Sequence, residues 1–334
     1  MTELVEQQNS GINGAIFPPN KCMEPRIAFS KKPVVYDHLL YLDFDTDGNS
    51  ILGCSDLTGT FWEGTLLYFD KHKKIEDLNF SGYYINTTSS DGKLINQNTI
   101  AVAEDTGNLN ILSVDTSQEG ITLKSIASFK VIERIPQLAV WDNSNKVLCC
   151  SGRTITIADV NSYSETVTHR NVHLENVTTV DTLRSNTNIF ASGGRDHITC
   201  TWDLREEKPS VLYTNEFSSV TSVAWNQHSD NYIMVGVQAG DIYLIDKREP
   251  KEFVSVFHCF DAPVTRMAFK DSSKLAICGE VNEVLVLSCD NSFLELAHKY
   301  DNHKDQVKDV KWYNSTLFTC GFGKCLMKHG KEEQ

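Results

Sequence analysis

Short apolar stretches ending in small residues recur along the chain. Each is followed by a turn and then by a stretch in which apolar and polar positions alternate. The segments LGCSDLTGTFWEGTLLYFD, AVAEDTGNLNILS, CCSGRTITIAD, FASGGRDHITCTWD, MVGVQAGDIYLID, ICGEVNEVLVLS and FTCGFGKCLMKH all follow this plan. Continuous apolar runs of this length predict strands buried on both faces, and strict alternation predicts strands buried on one. An upstream strand that ends in an aromatic or apolar residue before a polar turn precedes several units, as in LAVWDNSNK, TSVAWNQHSD, TRMAFKDSS and VKDVKWYNS. Six units end at Asp70, Ser113, Asp159, Asp203, Asp246 and Ser288, in steps of 42 to 46 residues.

A period near 40–45 with four short strands per unit is the signature of a WD40-type β-propeller. The expected fold is therefore all-β, a seven-bladed WD40 propeller. The length of 334 residues would otherwise suggest about two domains at roughly 150 residues each. The repeat converts it into one ring over residues 22–334, preceded by an arm, residues 1–21, that is flexible or ordered by a partner. After Leu326-Met327 only KHGKEEQ remains. The outer strand of the last blade is thus expected from the N-terminal side, at or near Arg26-Ile27-Ala28-Phe29. Trp141-Asp142 falls in an upstream strand and turn, so Trp202-Asp203 is the one WD dipeptide in register. The same slot elsewhere holds Phe69, Leu112, Ala158, Ile245 and Leu287.

The fourth unit is the best preserved and offers His173, Ser192, Asp196 and Trp202 for the hydrogen-bonded chain of WD40 proteins. A buried indole N–H and imidazole need partners, which is why such networks recur. His303 holds the comparable slot before the last unit. Ser, His and Asp this close also suggest a catalytic triad, but no nucleophile elbow or oxyanion loop accompanies them.

The charge balance is 31 Lys+Arg against 44 Asp+Glu, a net −13. That argues against nucleic acid or an anionic membrane as partner, and suits basic proteins. The polar start and the lack of any apolar run near ~18 residues lead to the expectation of a cytoplasmic or nuclear protein. Most of its ten cysteines should then be reduced. Cys149, Cys150, Cys278 and Cys320 lie in apolar runs, where Cys acts as a small buried hydrophobe.

A phosphate-binding glycine loop, C-x-x-C pair and H-E-x-x-H are all missing from the sequence. Asp45-Thr46-Asp47-Gly48-Asn49 starts like a calcium loop but lacks the closing Glu, and reads as a hairpin turn. No catalytic residue, metal or cofactor is expected.

What remains is surface. Phe61 and Trp62 stand between Gly59 and Gly64 at a strand-joining turn, where Trp62 either folds back over its blade or serves as an exposed anchor. One repeat apart, Asp203-Leu204-Arg205 and Asp246-Lys247-Arg248 form twin D-x-R boxes. These resemble the motif by which WD40 receptors dock onto the adaptor of cullin-4 ubiquitin ligases. Equally, Asp and Arg after this strand cap the turn and pair with each other.

Pro18-Pro19-Asn20, Cys22-Met23-Glu24, Leu52-Gly53, Ser55, Gly59, Trp62, Gly64 and the ending His303-Lys304-Asp305-Gln306-Val307-Lys308-Asp309 with Trp312 resemble the methylosome protein 50 family. The likeness spans residue 17 to about 329 and is weak in blades two and three. The divergence suits an invertebrate branch, such as that of the insect protein Valois. The resemblance implies a non-catalytic partner of the type II protein arginine methyltransferase, docked on that enzyme's N-terminal barrel domain. Trp62, with Phe61 beside it, maps onto the aromatic that enters the barrel's groove. It also implies a four-plus-four hetero-octamer that presents Arg/Gly-rich substrates such as Sm proteins and histone tails. The opening MTELVEQQ departs from the family's Pro-rich start, so contacts of the arm do not carry over.

Overall fold

A computed structural model describes residues 33–330, apart from 58–61, 74, 76–78, 119, 132, 143, 172, 207, 215–217, 251 and 291–292. The described residues form seven antiparallel sheets, each a meander in sequence order. Six have four strands and the seventh has three, Val307–Tyr313, Thr316–Gly321 and Cys325–Lys328. The expected outer strand of that blade, at Arg26-Ile27-Ala28-Phe29, lies outside the described residues, as do the arm and Phe61.

The apolar runs occupy the second and third strands. Lys146–Ser151 and Thr154–Asp159 of blade 3 are buried nearly throughout, whereas outer strands such as Phe253–His258 alternate exposed and half-buried. No single central core forms; apolar clusters lie between neighbouring blades. Trp141, Leu148 and Ile157 of blade 3 pack with Val180, Phe190 and Trp202 of blade 4. The Phe190 and Trp202 rings stack at 5.3 Å, and Trp141 meets Phe190 edge-on. In blade 1, Tyr41 is wholly buried flat against Gly53, where a Cβ would lie 2.0 Å from its ring. Only glycine fits there.

Innermost strands of adjacent blades are joined by carboxylates. The Leu94 N–H donates to Asp43 (3.0 Å), Leu138 N–H to Asp91 (2.9 Å), Trp225 N–H to Asp181 (2.7 Å) and Leu42 N–H to Asp309 (3.0 Å). Each acceptor sits one blade before its donor, and the last pair joins blade 7 to blade 1. That seam is reinforced by the Lys324 N–H donating to the Asp37 carbonyl and by a Lys324–Asp37 ion pair at 3.0 Å. Burial pushes Asp181 and Asp309 above the usual carboxylate range, although backbone N–H donors and nearby cations pull the other way. Burial also works against the charge of Asp91, but Lys93 at 3.0 Å and Arg266 at 3.2 Å hold it below that range.

A cavity opens at each end of the propeller axis, and Gln137 and Arg266 border both. The first, about 640 Å³, is ringed by turns between second and third strands, including Leu57, Asp105, Arg195, Gln238 and Glu280. The second, about 850 Å³, is ringed by turns between first and second strands. These are the two faces of the disc.

Candidate functional site

The fourth-blade residues come together as one relay. The Trp202 Nε1–H donates to Ser192 Oγ (2.9 Å), and Ser192 Oγ lies 2.8 Å from His173 Nε2. His173 Nδ1 is 2.9 Å from Asp196 Oδ1, and Asp196 also accepts the Leu174 N–H. With the proton on Nδ1, every donor in this chain has an acceptor. Ser192 is fully buried and already accepts from the indole. No substrate can reach it, so an Asp–His–Ser order that resembles a protease triad here ties a blade together.

Blade 7 carries a variant built from histidines. Thr319 Oγ1 lies 2.7 Å from His303 Nε2 and 2.8 Å from His329 Nε2. Burial and then the neighbouring imidazoles of His303 and His298 push His329 down to about 4. An unfolded His titrates near ~6.5 and takes up a proton the folded one refuses. Stability from this site is therefore complete above ~6.5 and lost as pH falls towards 4. Thermal melts should show wild type losing more stability between pH 7.5 and 5 than His329→Gln. Parallel losses would mean that the relay does not sense pH.

Trp62 leads into the third strand of blade 1, Glu63–Phe69, and is 58 % exposed. Of the two sequence-based alternatives, an exposed anchor is the one that this exposure favours. The chain after it is pinned: a Cβ at Gly64 would lie 2.9 Å from the Thr87 carbonyl and 3.0 Å from Ser55 Oγ. The exposed indole lies next to this close-packed strand start, at the end of the blade that faces the 640 Å³ cavity.

The D-x-R boxes follow third strands and lie on the opposite face. Arg205 Nε donates to Asp203 at 2.8 Å, and Arg248 Nε to Asp246 at 3.0 Å. The side-chain hydrogen bond from Arg205 holds Asp203 down at about 2. Each pair closes its own turn, yet the arginine side chains remain 66 % and 59 % exposed. Asp45 closes its hairpin likewise, accepting the N–H groups of Asp47, Gly48 and Asn49. Among the described residues no group of three or more His, Cys, Asp or Glu is placed to hold a metal ion.

No family model matches the chain. Methylosome protein WDR77 of Xenopus laevis is 24 % identical to it over 294 residues, 85 % of this chain and 86 % of that protein. The chain is a methylosome protein 50-like WD40 protein. The frog relative does not bear on the insect branch. A local match, 35 % identical over 57 residues, links this methylosome protein 50-like chain to the WD repeat-containing protein srw1 of Schizosaccharomyces pombe, covering 17 % of this chain and 10 % of that one. Among solved structures, a chain in the crystal structure of a mitotic checkpoint complex superposes with a TM-score of 0.72. It is 17 % identical, over 89 % of this chain and 88 % of that one, and shares the fold.

Proposed function

We propose that this protein is a non-catalytic scaffold that binds a symmetric-dimethylating (type II) protein arginine methyltransferase. Trp62 is the anchor. The observation that carries this reading is an indole 58 % exposed at the start of the third strand of blade 1, in a chain similar along most of its length to a methylosome protein. A large aromatic held in water has its apolar area still to bury, and Trp leads the residues that dominate interfaces. The enzyme's N-terminal barrel domain is the expected acceptor, in a four-plus-four assembly of the cytoplasm and nucleus. The net charge of −13 steers basic Arg/Gly-rich substrates, such as Sm proteins and histone tails, towards the complex. The methyl donor and the bond-making chemistry belong to the partner.

Affinity purification of the tagged protein, with partners identified by mass spectrometry, is expected to recover an arginine methyltransferase. Its absence would sink the proposal. The alternative, a cullin-4 ligase receptor, uses the opposite face, where Asp203, Arg205, Asp246 and Arg248 lie. Arg205→Ala with Arg248→Ala should leave methyltransferase recovery unchanged; loss of a ligase adaptor in that variant would favour the alternative.

A further inference from the structure

We propose that the 640 Å³ cavity on the Trp62 face is a docking site for an anionic peptide segment, whose carboxylate or phosphate side chain enters between Arg195 and Lys308. The lining carries four cations, Arg134, Arg195, Arg266 and Lys308, against two carboxylates, Asp105 and Glu280. In a protein of net charge −13 this is a local reversal of sign. Pairing accounts for two of the cations and one of the carboxylates, which leaves Arg195 and Lys308 against Glu280. Asp105 is engaged by Arg134 at 2.7 Å and by the Thr88 hydroxyl. Arg266 spends its charge on Asp91 at the floor. Arg195 and Lys308 form no ion pair among the described residues, and Glu280 acts on Lys308 only at longer range.

Lys308 is placed for such a role. Its ammonium stands 4.8 Å from the centre of the Phe322 ring, which also lines the cavity. The half-buried ammonium has its affinity for a proton lowered by burial, so the unliganded site holds an under-solvated cation. An incoming anion relieves that cost, because attraction strengthens as the pair is withdrawn from water. The volume falls in the range of pockets that enclose a ligand, about 300–1,000 Å³. Gln137 and Gln238 in the lining offer amide donors and acceptors, the equipment that a peptide backbone requires.

The same charges decide against other occupants. A nucleic-acid strand carries a phosphate every few ångströms and would meet the acidic remainder of the disc. A basic Arg/Gly-rich segment would meet Arg195 and Lys308. One or two anionic side chains on a short peptide meet only the mouth. The surface used is distinct from Trp62, so the inference stands whether or not the methyltransferase is the partner.

The test is fluorescence anisotropy with a labelled peptide Gly-Ser-Glu-pSer-Glu-Glu-Gly, beside versions with Asp or Ala for phosphoserine and with Gln for each Glu. Wild-type protein is expected to bind the phosphorylated or the Asp peptide saturably, and the uncharged Ala/Gln peptide at least about tenfold more weakly. Which anionic version binds better identifies the entering group. Binding should weaken between 50 and 300 mM salt. Arg195→Gln with Lys308→Gln should weaken it about tenfold or more with an unchanged thermal midpoint, whereas Trp62→Ala should leave it intact. Failure of both anionic peptides to bind, or equal binding to the folded double variant, would overturn the proposal. If the double variant unfolds, the single variant Arg195→Gln, on an exposed side chain, must still weaken binding for the proposal to stand.

Discussion

Trp62→Ala is expected to abolish capture of the methyltransferase while the thermal midpoint of the propeller stays where it was. The two halves of that outcome have separate causes. Trp62 is 58 % exposed and carries little of the fold, so truncation leaves no cavity behind. At an interface the same ring would bury on the order of 150–250 Å². Truncating a central aromatic anchor commonly costs about 2 kcal/mol or more, roughly a thirtyfold loss of affinity. Trp62→Phe should retain part of the binding, since it keeps a planar apolar group. Surface plasmon resonance against the purified enzyme, with melts of each variant, reads both halves. Undiminished affinity in the Ala variant would remove Trp62 from the interface, and a large drop in melting temperature would show that the ring braces its own blade.

The largest loss of stability should come from Asp91→Ala. Asp91 is completely buried, accepts the Leu138 N–H of the next blade, and faces Lys93 at 3.0 Å and Arg266 at 3.2 Å. Its removal strands two buried cations and two backbone donors, the N–H groups of Leu138 and Gly92, together. Breaking a buried pair from one side costs about 3–5 kcal/mol. Asp91→Asn should cost less, because an amide oxygen still accepts the Leu138 N–H while the charge is lost. Urea unfolding measures the difference, and a loss in the Ala variant below about 1 kcal/mol would mean that water or a shifted side chain replaces the carboxylate.

How far these features were legible in the sequence depends on where each signal lies. The second and third strands announced themselves through apolar runs, and the tetrad through side chains that fall at one point of a single repeat. Trp62 was visible as a residue but not as an orientation, since a hairpin tells where a Trp sits and not which way it turns. The inter-blade carboxylates were missed. Within one strand such as VTTVDT, Asp181 reads as an ordinary polar position, and its acceptor role depends on Trp225, one full repeat away. A signal was nevertheless present: the innermost strands of blades 1, 2, 4 and 7 each hold an Asp, and comparing repeats by register places Asp91 with Asp309 and Asp43 with Asp181 two positions further along. Net charge misled in another way, because a sum over the whole chain hides the basic mouth of the cavity.

The hydrogen bond from Leu42 to Asp309 has the same chemistry as the joints inside the chain, Leu94 with Asp43 and Leu138 with Asp91. By this measure the ring has no privileged seam. A circularly permuted protein, cut at a turn between two other blades and spliced across blades 7 and 1, would meet the same donors and acceptors at every junction. The order in which the wedges are synthesised is then separable from the order in which they lock.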